Sequence, residues 1–225
     1  MRNRPLLQSG LLILVAATCL AQSPAITGFT GAAQFGSINA TDVTIGWTFT
    51  PTANLTVTAI GVWELDIGFP LNQTHQVGLW TAGGALLASG TVLTNSPVTG
   101  NWRYVAIPAT VLTAGQTYVA GSAITAPFTD VYSRVPAAGG TVTTNPLITL
   151  GTSVASPPAS GFAFPSTSDA TFLARLGPNL MVSAGPASPS PSVSAAAPVS
   201  PWSLGLIAIG LAASGLLLIR KRLAA

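Results

Sequence analysis

The sequence predicts an all-β fold, an antiparallel β-sandwich of the jelly-roll type, with an N-terminal signal peptide and a single C-terminal transmembrane helix. Three observations predict it. Residues 25–183 contain stretches in which apolar and polar side chains alternate, as they do in half-buried strands. Turn-forming glycine, proline and asparagine separate these stretches, and none of them has the periodicity of a helix. Apolar segments without charge lie near both ends of the chain.

The first element is a secretory signal peptide, predicted over residues 1–21. Two arginines precede an apolar stretch at residues 11–17, and small residues follow. This order is typical of an exported precursor, and cleavage is expected after Ala21. An alternative is the attachment of a lipid to Cys19. In both cases the chain is expected to leave the cytoplasm through the secretory pathway.

The second element is one β-sandwich domain, predicted over residues 25–183. Further strands are expected late in this domain, at residues 140–144, 147–151 and 171–177. A domain of roughly 160 residues can bury a core without covalent help, and the only cysteine of the chain lies outside it. Disulfides are therefore excluded from the domain. Its clearest strands are expected at residues 55–65, 75–80, 85–93, 102–111 and 117–124.

The third and fourth elements are a stalk and a hydrophobic tail. Proline, serine and alanine dominate residues 184–201, and this composition favours extended, solvated backbone. A transmembrane or sorting segment is predicted over residues 202–222, in which an uncharged helix would be about 24 Å long at 1.5 Å per residue. Pro201 and Trp202 mark its outer end. A basic cluster marks the cytoplasmic end by the positive-inside preference: Arg220, Lys221 and Arg222. A membrane is therefore an expected partner, with the bulk of the chain outside the cytoplasm.

The charge balance of the central part excludes nucleic acid as a partner. Between residues 22 and 201 there are three arginines and five carboxylates, so no basic stripe is available to bind phosphates. His75 is the only histidine. We expect it to be structural or at a strand edge rather than a catalytic base. The chain has none of the common hydrolase, zinc or phosphate-binding motifs, so no enzymatic activity is expected.

Two acidic residues, Glu64 and Asp66, follow each other closely in "WELDIGF", where a strand enters a loop. Carboxylates and loop carbonyls are ligands that Ca²⁺ prefers, so this pair is the candidate metal site. The alternative is an acidic, solvated loop end, and no other cofactor is expected. Four tryptophans fall in strand-like segments, and we expect them in the core rather than on a sugar-binding surface: Trp47, Trp63, Trp80 and Trp102.

Two stretches resemble known families. "GWTFTPTANLTVTAIGVWELD", "HQVGLW", "LLAS" and "LTAGQTYV", within residues 46–121, resemble an uncharacterised extracellular all-β domain of bacterial surface proteins. The tail resembles the exosortase-type sorting signals of Gram-negative bacteria, the PEP-CTERM group, with "VSPW" where "PEP" stands in that group. This second resemblance implies a sorting transpeptidase as a partner and a location at the cell surface.

We therefore expect an exported, surface-associated, non-catalytic protein. Its role would be that of a binding or structural component of the cell envelope or of the extracellular polysaccharide matrix, with polysaccharide as a candidate ligand. One alternative is a hydrolase of surface polymers that uses Glu64, Asp66 or His75. Another is a permanently anchored single-pass membrane protein of unrelated role.

Overall fold

The computed structural model describes residues 21–35, 42–64, 70–127, 129–130 and 132–187. Within these ranges the chain is all-β, without a helix. The strands are β1 (Ser23–Pro24), β2 (Ile26–Thr30), β3 (Ala33–Phe35), β4 (Val43–Pro51), β5 (Leu55–Trp63), β6 (His75–Thr81), β7 (Leu86–Val92), β8 (Val98–Thr99), β9 (Trp102–Leu112), β10 (Tyr118–Ile124), β11 (Tyr132–Pro136), β12 (Thr141–Thr144), β13 (Ile148–Ala155), β14 (Thr167–Asp169), β15 (Phe172–Leu176) and β16 (Pro178–Ala184).

The predicted all-β class is confirmed, and β5, β6, β7, β9 and β10 match the five clearest predicted strands within two residues. The three later predicted strands correspond to β12, β13 and β15, of which β13 continues to Ala155. Eight other strands in the described residues are not in the predicted set, and β4 and β16 are the longest of them. Both are almost fully buried, so their sequences lack the alternation that marks a half-buried strand.

Two large antiparallel sheets form the body of the domain. One has the strand order β1-β16-β5-β9-β8, and the other has the order β14-β13-β4-β10-β6-β7. Two smaller sheets, β15-β11-β3 and β12-β2, complete the fold. Most neighbouring strands are distant in sequence, so the sheets are assembled by long-range pairing rather than by consecutive hairpins.

The main apolar core lies between the two large sheets and contains residues of both. Trp47 of β4 is fully buried there, and its indole Nε1 donates a hydrogen bond of 2.9 Å to the carbonyl oxygen of Pro178 in β16. This bond joins one large sheet to the other. The same face of β4 and β10 continues beyond this core into a smaller cluster, where Tyr132 packs with Val43 and Ile124.

Trp80 lies flat against the outer face of the β14-β13-β4-β10-β6-β7 sheet because two neighbouring positions have no side chain. A Cβ atom at Gly78 would lie 2.4 Å from the Trp80 ring, and one at Gly121 would lie 2.9 Å from it. Phe162 and Phe164 pack against the indole from outside. These glycines therefore form the floor of a slot that buries Trp80.

In the described ranges there is no helix long and apolar enough to span a membrane. Residues 1–20 of the predicted signal peptide, most of the predicted stalk and the whole of residues 202–222 lie outside these ranges. Pro201, Trp202, Arg220, Lys221 and Arg222 lie outside them as well.

Candidate functional site

The first candidate site residue, Glu64, is bound to Arg103. Glu64 follows the last residue of β5 and is only 5% exposed. Its Oε1 accepts a hydrogen bond of 2.9 Å from Arg103 Nη2, and its Oε2 contacts Arg103 Nε. The same guanidinium donates from Nη1 to the carbonyl oxygen of Ser96, at 2.8 Å. This bidentate pair therefore ties the end of β5 to β9 and to the turn that precedes β8.

The second candidate residue, Asp66, lies outside the described residues. The calcium hypothesis for Glu64 and Asp66 therefore stays a prediction. A cation at this place would have to share the Glu64 carboxylate with the Arg103 guanidinium. Elsewhere in the described part of the chain, no three residues among histidine, cysteine, aspartate and glutamate lie close enough together to hold a metal ion.

His75, the only histidine, is the first residue of β6 and is 1% exposed. Its Nδ1 lies 2.9 Å from the carbonyl oxygen of Ala123, and its Nε2 lies 2.8 Å from Oδ2 of Asp130. Both ring nitrogens are therefore engaged with oxygen atoms of other segments. The ring joins β6 and β10 to the segment before β11.

Asp130 is the counter-ion of His75 and the centre of a small hydrogen-bond network. Its Oδ1 accepts from the backbone N–H of Asn72 at 2.7 Å and from the Asn72 side chain at 3.0 Å. Its Oδ2 accepts from the backbone N–H of Gln73 at 3.1 Å, in addition to His75. Burial by itself would raise the pKa of Asp130, but these donors outweigh it and lower the pKa below its ordinary value. The carboxylate is therefore ionised and fully engaged inside the fold.

A third charged cluster lies on the outer face of the β15-β11-β3 sheet. Arg134 and Arg175 are directly opposite each other in the register, and both guanidinium groups lie over the ring of Phe172, at 5.2 and 5.8 Å from its centroid. Asp169 accepts a hydrogen bond of 2.8 Å from Arg175. Burial lowers the pKa of Arg175; Asp169 opposes this change and Arg134 adds to it. The shared ring and Asp169 offset the repulsion expected of like charges on opposite strands.

All four tryptophans of the domain are buried, as expected. Trp63 and Trp102 are 7% and 6% exposed, and they pack edge to face with ring centroids 4.7 Å apart. Phe29 packs against Trp63 at 5.0 Å in the same way. No indole face in the described residues is thus open for stacking on a sugar ring. The structural role expected for these side chains is confirmed.

An open cleft of about 390 Å³ lies on the surface between two turns. One turn starts from Thr81, the last residue of β6, and continues through Ala82 and Gly83; the other precedes β10 and contains Thr113-Ala114-Gly115. The backbone N–H of Ala82 donates to the carbonyl oxygen of Thr117 at 3.2 Å, which joins the two turns. The cleft is lined by Thr81, Ala82, Gly83, Gly115, Gln116, Thr117 and Tyr118. The sequence marked both stretches only as turns, because nothing in either of them indicates that they meet.

Comparison with protein families gives a match over residues 30–172, to the family described as "Domain of unknown function (DUF4082)". The chain belongs to the DUF4082 family. The matched DUF4082 segment contains the Glu64–Arg103 pair, the His75–Asp130 pair and the cleft. It ends before β16, which lies beside β5 in the middle of a large sheet. No curated protein matches the chain, and no solved structure matches it.

Proposed function

We propose that this DUF4082 protein is an exported, surface-associated and non-catalytic protein. It serves as a binding or structural component of the cell envelope or of the extracellular polysaccharide matrix. Its C-terminal hydrophobic segment acts as a sorting signal that is recognised by an exosortase-like transpeptidase. The observation that carries the non-catalytic part is that Glu64 and His75, the described side chains best suited to acid-base chemistry, are buried and engaged in internal pairs.

These pairs favour a binding role over a polymer hydrolase. Glu64 follows β5 in one large sheet, whereas His75 begins β6 in the other, and each has its own partner. A hydrolase would need at least one of these groups in a cleft and within reach of a substrate proton. Here the Glu64 side chain would have to leave Arg103, or the His75 ring would have to leave Asp130, at the cost of an unpaired buried charge.

The proposed architecture is a jelly-roll-like sandwich between a signal peptide and a hydrophobic tail. The strand order supports the jelly-roll assignment, since β4 pairs with β10 and β13 while β5 pairs with β9 and β16. The basic start of residues 1–21 supports export. The uncharged stretch before Arg220, Lys221 and Arg222 supports membrane insertion with the basic end in the cytoplasm.

The location and fate of the chain can be tested by fractionating the native host and measuring the intact mass of the mature protein. We expect a chain that begins at Gln22 and ends near Pro201, recovered from the cell surface. A product that ends at Ala225 would contradict sorting and support the lasting membrane anchor. A cytoplasmic product that still begins at Met1 would contradict export itself.

The binding role can be tested by passing the purified protein over immobilised polysaccharide extracted from the matrix of the same host. Retention above that on the bare resin is expected. Failure to be retained on this material and on a broad glycan array would contradict the binding form of the proposal. Release of reducing ends from the polymer would instead support the hydrolase.

A further inference from the structure

We propose that the cleft between the two turns binds a neutral saccharide chain, and that Gln116, Thr117 and Tyr118 provide its hydrogen-bonding wall. This inference rests on the proposed binding function and names both the site and the class of ligand. The volume of about 390 Å³ lies at the lower end of the range of small-molecule sites, about 300–1,000 Å³. It therefore suits a short stretch of a polymer rather than a long oligosaccharide.

The lining of the cleft is polar and uncharged. The Thr81 hydroxyl accepts a hydrogen bond from the backbone N–H of Ala85 at 3.1 Å, so its own proton is available to a ligand. The Tyr118 hydroxyl accepts a hydrogen bond from the backbone N–H of Thr113 at 3.0 Å, so its O–H can likewise donate to a ligand. Gln116 is exposed, and its side-chain amide has no hydrogen-bond partner among the described residues. Together these groups offer both donors and acceptors, as the hydroxyl groups of a sugar require.

The charged side chains of the domain lie outside the lining of this cleft. None of its lining residues is charged. Glu64, Asp130 and Asp169 are bound to Arg103, His75 and Arg175, respectively. An anionic or cationic polymer would therefore meet no counter-charge in the cleft, whereas a neutral polyhydroxyl chain can exchange its water for direct hydrogen bonds without desolvating a charge.

Both turns are held in place before any ligand arrives. The backbone N–H of Gly115 donates to the carbonyl oxygen of Pro51 at 2.9 Å, and the N–H of Ala114 donates to Asn54 Oδ1 at 2.9 Å. On the other side, the N–H of Thr81 donates to the carbonyl oxygen of Ala85 at 2.9 Å. Because the rims are already ordered, binding loses little conformational entropy there.

The experiment measures the migration of the full-length protein, in mild detergent, through native gels that contain one polysaccharide each. Dextran, laminarin, amylose and galactomannan are the neutral probes, alginate and polygalacturonate the anionic ones, and chitosan the cationic one. Gly83→Trp fills the cleft: a Cβ at Gly83 would make only an ordinary contact, 3.8 Å from Thr81 Oγ1, and the backbone conformation there is ordinary, so the fold is expected to remain. Gln116→Ala removes one hydrogen-bonding side chain, and Gln76→Ala removes an exposed glutamine on β6 as the matched control. Thermal unfolding of each variant verifies that it is folded.

We expect at least one neutral polymer to retard the unaltered protein. Gly83→Trp should abolish this retardation, Gln116→Ala should weaken the affinity by roughly 2- to 12-fold, as the loss of one neutral hydrogen bond does, and Gln76→Ala should leave it unchanged. Equal binding by Gly83→Trp would overturn the cleft as the site while leaving the binding function intact. Binding of charged polymers alone would overturn the neutral class of ligand. No binding of any polymer by the unaltered protein would overturn this inference and the binding function together.

Discussion

Replacing Asp130 by alanine tests whether the buried pair with His75 contributes to the stability of the domain. The substitution removes an acceptor of four hydrogen bonds and leaves the His75 ring, which is 1% exposed, without its counter-ion. Three of the four donors belong to Asn72 and Gln73 near the surface, where water can replace the lost partner. The main cost therefore comes from His75. Breaking a buried ion pair by removing one partner costs about 3–5 kcal/mol.

In a domain of this size a loss of about 3–5 kcal/mol lowers the midpoint of thermal unfolding by roughly 6–20 °C. Urea unfolding followed by tryptophan fluorescence measures the free energy directly. The full-length chain should carry Trp202→Phe, so that the signal comes from the four buried tryptophans. Asp42→Ala is the control, because the Asp42 side chain accepts a single hydrogen bond within the described residues, from the backbone N–H of Ala126 at 3.0 Å. Because this bond to a carboxylate is exposed to water, its loss should cost about 1.5 kcal/mol, the low end for a charged acceptor.

The effect of Asp130→Ala should also depend on pH. The pKa of Asp130 is lower in the folded protein than its ordinary value of about 3.9. Its stabilisation is therefore fully present above pH 4 and is lost as the pH falls through the lower folded pKa. The free-energy difference between the unaltered protein and Asp130→Ala should shrink below pH 4. A cost at pH 7 no larger than that of Asp42→Ala, or a difference that does not change between pH 7 and pH 3, would refute this account of the pair.

Three further substitutions test other parts of the fold. Trp47→Ala should lower the free energy of unfolding by about 3–5 kcal/mol. Trp47→Phe should lower it by less, because phenylalanine keeps an aromatic ring in the core and loses only the hydrogen bond to Pro178. Equal losses for the two variants in urea titrations would argue against this role of Trp47. Arg103→Ala should lower the free energy of unfolding by about 3–5 kcal/mol, because it leaves the buried Glu64 carboxylate without its partner. The double variant Arg103→Met with Glu64→Leu should recover part of this stability. No recovery in calorimetry would contradict the pairing. Gly78→Ala should cost about 1–3 kcal/mol through its clash with the Trp80 ring, and an unchanged melting temperature would exclude the proposed slot.

The strands that could be predicted from sequence are those with one face in the core and the other in water. β5 and β9 have this pattern along much of their length, and their alternation is visible without any knowledge of the partner strand. β10 is an exception, since it is predicted from alternation and from the turn before it although all its residues are buried. β4 and β16 are buried on both faces. Their composition therefore indicates that they are buried, but it does not indicate which side chains point to which face of the sheet.

The site residues were harder to predict because each pair is formed by residues far apart in the chain. His75 and Asp130 are 55 positions apart, and Glu64 and Arg103 are 39 apart. The structural role expected for His75 agrees with its burial, but the sequence offers no sign of its partner. The sequence places Glu64 beside Asp66, whereas in the fold its partner is Arg103 of the neighbouring strand β9.

Local alternation and turn residues were enough to predict the all-β class and eight of the sixteen strands in the described residues. The charge count predicts that the central part of the chain has no basic surface for nucleic acid. The sequence also carries the prediction of export and of a sorting tail, which depends on uncharged segments and flanking arginines. The pairing of Asp130 with His75 and the cleft between the turns at Thr81 and Gln116 are visible only in the folded protein. The physical reason is that antiparallel pairing of strands distant in sequence brings these groups together, and no local pattern encodes which strands will pair.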